Sequence, residues 1–282
     1  MANSIALAKQ FVPILDEVYK NASLTAVLDG AADLVKQGAN ANELIIPKLE
    51  MQGLADYSRN SGYVSGDVTL TNETVQCNFD RGRMFQVDYM DDLETAGVAF
   101  GRLAGEFIRT KVVPEQDAFR FAKYASASGV GSASAALSTG AAAVTAIRAG
   151  VNAMDEAEVP TDERYLFITP TLYGMIQDLD TTKSREVLAR FAQVITVPQS
   201  RFYKSITQTA SGAGGFTGTG ALNFMIVHKP AVIQFTKHVA PKIIEPAVNQ
   251  DADAYKFGYR TVGIADVYEN KAAGIYVHSS AT

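Results

Sequence analysis

The sequence has one cysteine, no tryptophan and three histidines in 282 residues, and each scarcity removes a class of chemistry. Cys77 alone cannot build an intramolecular disulfide framework or a cysteine-based zinc site, so it reads as a small buried or half-buried residue of a strand. His228, His238 and His278 are too far apart for a helical metal pair, which needs ligands about three to five positions apart, and read as exposed or satisfied strand residues. No Gly-Lys dipeptide exists for a P-loop. Gly129 and Gly131 lack the third glycine of a dinucleotide fingerprint because position 134 is serine, and the Gly-rich stretch at 210–221 has Thr217 where that glycine would fall. There is no Gly-x-Ser-x-Gly elbow, and acidic pairs such as Asp91 with Asp92 or Asp155 with Glu156 fall at expected helix ends, where capping suffices. No catalytic, cofactor-binding or metal-binding residue is expected, and enzyme chemistry has no support.

Long apolar runs are also missing. None approaches the roughly eighteen residues that span a bilayer, and no basic segment precedes an apolar one near Met1, so the expected site of folding is the cytoplasm. A basic stripe is absent too, and the net charge is −5, which argues against affinity drawn from neutralising phosphates. Hydrophobic residues make up 47% of the chain against 20% charged, enough to build one or two cores and too apolar for disorder.

What is present is organised around Asp91 to Ala127. Asp91 and Glu94 form a capping-box pattern, and Leu93, Ala96, Phe100, Leu103, Ala104, Phe107 and Ile108 recur at helical spacing. Gly97, Gly101 and Gly105 each weaken such a helix by about 1 kcal/mol, which calls for something packed closely against them. Pro114 predicts a kink there, with Val113 pushed towards extended geometry. Before this rod come an amphipathic arm at residues 5–20, a weaker helical pattern from Ala26 to Val35 and a short strand-like run from Leu44 to Leu49. Residues 52–88 are dotted with glycine and serine and then alternate, Val68 and Leu70 followed by Val75, Cys77 and Phe79, with Asn72-Glu73 read as a hairpin turn. A lone hairpin is marginal in water and has open edges, so it should rest against its own sheet or against another copy of the chain. After the rod, Ser126–Ala136 reads as a linker or loop tip, residues 140–197 alternate helix and strand as in a compact α/β lobe, 210–221 reads as a long mobile loop, and the last third is mostly sheet.

Several phrases taken in order resemble the major capsid proteins of tailed bacteriophages. They are Gly53-Leu54-Ala55-Asp56-Tyr57-Ser58-Arg59, Gly62-Tyr63-Val64-Ser65-Gly66-Asp67-Val68, Asp80-Arg81-Gly82-Arg83-Met84-Phe85-Gln86-Val87-Asp88, the stretch from Val112 to Phe121, and the stretch from Val159 to Tyr173. The resemblance implies an α+β chain of the Hong Kong 97-type fold. It would have an N-terminal arm (1–36), an extended hairpin called the E-loop (52–88), a peripheral domain with a long spine helix (37–51, 89–130 and 238–268) and an α/β axial domain (131–237 and 269–282).

That likeness further implies a structural protein that self-assembles as hexamers and pentamers into an icosahedral shell around double-stranded DNA, without sequence-specific binding, in a virion put together in the bacterial cytoplasm. A portal and a maturation protease would be partners, and a separate scaffolding protein is expected because the E-loop begins about fifty residues from Met1. An encapsulin-like nanocompartment shell is the alternative within the fold, and an α/β enzyme the alternative outside it. Assembly contacts are expected at Arg59, Tyr63, Asp67, Arg81 and Arg83 on the E-loop and at Glu94, Glu106 and Glu115 on the spine, the arginines meeting acidic groups of a neighbour. Members that cross-link do so through an E-loop lysine, and no lysine occurs between Gly53 and Arg109. Mature particles boiled in SDS should therefore run as a single monomer band; a ladder of covalent oligomers would refute this.

Overall fold

The computed structural model describes residues 23–30, 43–57, 59–60, 62–90, 98–179, 181–210 and 212–281. The arm pattern at 5–20, the Asp91/Glu94 capping box and Gly97 lie outside them. Where a helix was expected from Ala26, the described segment holds a single 3-10 turn, Ala26–Leu28.

Strand β1 (Glu43–Met51) pairs antiparallel with β2 (Val68–Gln76) in register from Met51 opposite Val68 to Glu43 opposite Gln76. This corrects the expected turn at Asn72-Glu73: β2 runs straight through both residues, and the reversal is the glycine- and serine-dotted segment 52–67. Pro47 is tolerated in β1 because a two-stranded ribbon consists only of edges. Strand β3 (Phe79–Asp88) leaves this ribbon and joins a different sheet.

The rod follows as α1 (Val98–Phe107), a π-helical turn (Ile108–Val112) and α2 (Val113–Ser126). Val113 is helical, at φ −62° and ψ −47°, and its N–H donates to the Ile108 carbonyl five residues back. The wider turn takes up the strain that Pro114 would otherwise place on the preceding backbone, so the helix passes the proline instead of breaking into extended chain. A Cβ on Gly105 would meet nothing within 4 Å, so the close neighbour expected there is not supplied by the described residues.

Beyond α2 come β4 (Gly131–Ser134), α3 (Gly140–Glu156), β5 (Arg164–Ile168), α4 (Pro170–Leu179), α5 (Thr182–Leu188) and β6 (Gln193–Thr196). Thr139 caps α3 by accepting from the Ala142 N–H at 3.2 Å, and Thr181 with Ser184 forms a capping box on α5. Strands β7 (Tyr203–Gln208), β8 (Phe216–His228), β9 (Val232–Ile244), β10 (Ala254–Val267) and β11 (Ile275–Ser279) complete the order. One sheet runs β3-β10-β9; the other is six-stranded, in the order β4-β11-β8-β5-β6 with β7 paired to β8.

Alternation along the central strands explains the layering. Leu166, Ile168, Phe224 and Ile226 face α3, α4 and α5, while Phe167, Met225, Val227, Ile275 and Val277 face the opposite core. There Phe121 of α2 sits edge-on to Phe167 and Phe202, with ring centres 5.1 Å and 5.0 Å away. Phe119, Val232, Ala265 and Val267 join that core, which ties the end of the three-stranded sheet to the six-stranded one. Ala104, Ile108, Val112 and Val113 bury against Tyr255, Phe257 and Tyr259 of β10.

Two regions read from sequence as loops are strands. The small residues of 126–136 include β4, which runs parallel to β11; a Cβ on Gly131 would lie 2.9 Å from the Tyr276 ring, so the sheet requires a residue without one. In the Gly-rich stretch, 216–221 belongs to β8 and only 209–215 remains as a turn, with Gly212, Gly214 and Gly215 at positive φ.

His228 and His278 are buried at the ends of β8 and β11. Burial holds both imidazoles below their ordinary range, and the nearby Arg164 cation adds to this at His228. The ring of His278 stacks on Phe224, and its Nδ1 lies 3.0 Å from the Asn223 amide nitrogen, a donor that suits the neutral ring. The unfolded chain therefore binds protons more readily, so stability is full above the unfolded value of about 6.5 and falls as pH drops through it. Urea midpoints measured from pH 7.5 to 5 should decrease, and His278→Gln should flatten that dependence.

Candidate assembly interface

The β1–β2 ribbon is held to the rest of the chain at its base. Val75 is buried against Ile233 and Ile264, with Cys77 and Tyr268 packed on the same cluster. Outward from there the burial disappears: residues 51–57 and 63–72 are all exposed. Cross-strand pairing puts Leu49 opposite Leu70 and Met51 opposite Val68, so these side chains share one face, each with half or more of its surface in water at 53%, 67%, 67% and 67% respectively. At the tip Leu54 is fully exposed and Tyr63 is 90% exposed, and the Tyr57 and Tyr63 rings meet edge-on at 4.9 Å. Burying each of the four strand side chains would contribute about 1 to 2 kcal/mol, so the isolated ribbon forgoes several kcal/mol that a covering surface would return.

The expected contact residues fall into separate groups. Arg59, Tyr63 and Asp67 lie on the ribbon's tip and are exposed, and Asp67 closes it by exchanging hydrogen bonds with Gln52, its N–H on the Gln52 side chain at 3.3 Å and its carbonyl accepting from the Gln52 N–H at 3.4 Å. Glu94 lies outside the described residues. Glu106 pairs with Arg109 one turn along the rod.

Arg81 and Arg83 are on β3 and are engaged within the chain. Arg81 donates from Nε to Glu115 at 2.8 Å, from Nη1 to the Thr209 carbonyl at 3.0 Å and from Nη2 to the Gly215 carbonyl at 3.4 Å. Arg83 donates to the Gly212 carbonyl at 2.9 Å. The two arginines thereby dock the 209–215 turn of the six-stranded sheet onto the three-stranded sheet and the rod. Positive φ at Gly212, Gly214 and Gly215 turns these carbonyls towards the guanidinium groups, a role that composition alone did not reveal. Between them opens a cleft of about 810 Å³ whose walls include Phe85, Leu103, Phe107, Lys111 and the two arginines.

Among the described residues no group of His, Cys, Asp or Glu is placed to hold a metal ion, and no helix is long and apolar enough to cross a membrane. On the outer face of the three-stranded sheet, the Arg260 guanidinium beside Asp80 holds that carboxyl below its usual range, an exposed pair suited to register more than to strength.

No known family profile matches the sequence, and no curated protein matches it. Solved structures do. A chain from Gordonia phage Cozz has 13% identity and a TM-score of 0.64 over 92% of this chain and 87% of that one. The capsid structure of cyanophage P-SCSP1u gives 12% identity and 0.61, covering 90% and 87%. A virus-like particle from Pyrococcus furiosus gives 11% identity and 0.55, covering 93% and 98%. The chain has the α+β fold of phage capsid subunits along nearly its whole length.

Arg81→Ala removes three contacts from a side chain only a quarter exposed. Amides at 209–215 should exchange hydrogen at least about tenfold faster, with a stability loss of about 1–3 kcal/mol. Arg81→Lys should rescue little, because one ammonium cannot replace the guanidinium fork. Unchanged exchange in that turn would refute the docking role.

Proposed function

We propose that this chain is the major capsid protein of a tailed bacteriophage, a structural subunit of the Hong Kong 97 type that assembles through hexamers and pentamers into an icosahedral shell around double-stranded DNA. The observation that carries this is the apolar face on the ribbon: Leu49, Met51, Val68 and Leu70 are exposed on an element that, among the described residues, is anchored at its base. A monomer gains nothing from such a face. A lattice gains from it at every copy, since interfaces of about 1,600 Å² are strong together while each stays weak enough to correct.

In this reading the ribbon and its tip are the E-loop, laid over the next subunit, with Arg59, Tyr63 and Asp67 at the contact. The rod is the spine, β3, β9 and β10 belong to the peripheral domain, and the six-stranded sheet with α3, α4 and α5 is the axial domain. Glu94 and Glu106 belong to the surface that receives the E-loop. Arg81, Arg83 and Glu115 act indirectly, by fixing the turn that borders that surface. The acidic net charge suits a wall against which DNA must be packed and later released. A scaffolding protein, a portal and a maturation protease would act on the shell during assembly. The shell would be non-covalent: the tip and second strand of the ribbon carry no lysine, and Lys48 lies in the first strand, β1.

A second reading, an encapsulin-like shell that encloses protein cargo, draws on the full-length likeness to the Pyrococcus furiosus virus-like particle. The contents of purified particles, nucleic acid or protein, distinguish the two.

Leu49→Asp with Leu70→Asp should leave the circular dichroism and melting of the subunit almost unchanged while abolishing particles in electron micrographs. Wild-type protein that stays monomeric or dimeric under every condition, with or without a scaffold, would overturn the shell reading.

A further inference from the structure

Asp117 and Arg120 of α2 are both buried, with 0% and 4% of their surface exposed, and neither takes part in the assembly surface. They are satisfied by a short segment some ninety residues earlier in the sequence, residues 23–30. Asp117 accepts from Ser23 Oγ at 2.8 Å, from the Leu24 N–H at 3.1 Å, from the Thr25 N–H at 3.4 Å and from Thr25 Oγ1 at 2.8 Å. Arg201 closes the far side of the carboxylate at 3.4 Å. Arg120 donates to the same Thr25 hydroxyl at 2.8 Å. Gln234 of β9 donates to the Thr25 carbonyl at 2.7 Å and to Asp29 at 2.6 Å, while its own side-chain oxygen accepts from Tyr124 at 2.7 Å.

The segment has the properties of a ligand in a pocket. Its backbone is closed on itself, Leu28 and Asp29 donating to Thr25 and Ala26 within one 3-10 turn, and its single backbone bond to a strand runs from the Gly30 N–H to the Gln234 carbonyl at 3.1 Å. Leu28 fills the apolar end at 1% exposure, with Leu24 and Val27 beside it. Recognition is polar at one end and apolar at the other. At the polar end it centres on a hydroxyl that donates to a buried carboxylate and accepts from a buried guanidinium, an arrangement few side chains can supply.

We infer that α2, β9 and the turn holding Arg201 form a peptide-binding site whose ligand is the Ser-Leu-Thr-Ala-Val-Leu-Asp segment at residues 23–29, held by its own contacts and exchangeable between copies of the chain. This does not depend on the shell reading. It gives the chain a second point, apart from the ribbon, where one copy can supply a piece of another. Swapping is isoenergetic at the pocket itself, so linker reach and local concentration select the donor.

The test uses the full-length chain with a protease site inserted between residues 36 and 37. After cleavage, the fragment 1–36 should co-elute with the body on gel filtration. A fluorescent peptide of residues 22–31 in excess should replace it at one per body. The Thr25→Ser peptide should compete within about twofold of the natural one. The Thr25→Val peptide keeps the shape but removes the hydroxyl that bonds both Asp117 and Arg120, and should compete at least about tenfold less well. Release of the fragment on cleavage, with the body soluble or precipitated, overturns the inference. So does a Thr25→Val peptide that competes as well as the natural one.

Discussion

The fold depends on α2 packing against two sheets at once. Phe121 and Tyr124 are fully buried, one against Phe167 and Phe202 of the six-stranded layer, the other hydrogen-bonded to Gln234 on β9. A helix buried on most of its surface cannot follow the usual rule of one apolar stripe and one charged face. Here the polar positions Asp117 and Arg120 are buried as well, and each needs a partner because an unpaired internal charge costs several kcal/mol. Residues 23–30 provide those partners, which explains why a segment with so little secondary structure of its own is fixed so firmly.

The same constraint accounts for the π-helical turn. Ala104 upstream of it and Ile108 at its first position must face β10; downstream, Phe119 and Phe121 must face the junction between the sheets. A continuous α-helix keeps a fixed phase of about 100° per residue, so turning the buried face partway along requires a local change of winding. Pro114 supplies the place for it. The arginine clamp from β3 to the 209–215 turn then bridges the two sheets on the side away from the Asp117 pocket, so the relation between the lobes is set by a helix, a peptide and a clamp.

The elements legible in the sequence were those whose burial is periodic and local. The rod, α3 with Val144, Ile147, Val151 and Met154, and the strands around Leu166 and Ile226 follow from spacing alone, since each hides one regular face. The ribbon was misread for a physical reason. Asn72 looks like a turn residue because asparagine favours one, yet β2 is solvent-exposed along most of its length and a polar residue there costs little. A better signal was the similar alternation of Leu49 with Met51 and Val68 with Leu70 on either side of a glycine- and serine-dotted stretch. The Gly-rich strand escaped notice because its glycines answer to a distant side chain: a Cβ on Gly218 would fall 2.2 Å from the Tyr203 ring. No pattern in the sequence announced the Asp117 pocket, because its members lie some ninety residues apart and only the fold brings them together.

The ribbon and the 23–30 segment differ in the kind of contact they make. The ribbon presents an apolar face that is non-directional, tolerant of small shifts, and suited to a contact that must slide or tilt as a shell changes shape. The 23–30 segment presents hydrogen bonds to buried charges, which have narrow distance limits and no tolerance for partial engagement. In the proposed shell both kinds would serve: contacts of the first kind would let a lattice find its register, and contacts of the second would give each copy a fixed point of reference. The chain separates them in space, one beyond the base at Val75 and the other behind α2, so adjusting the first leaves the second undisturbed.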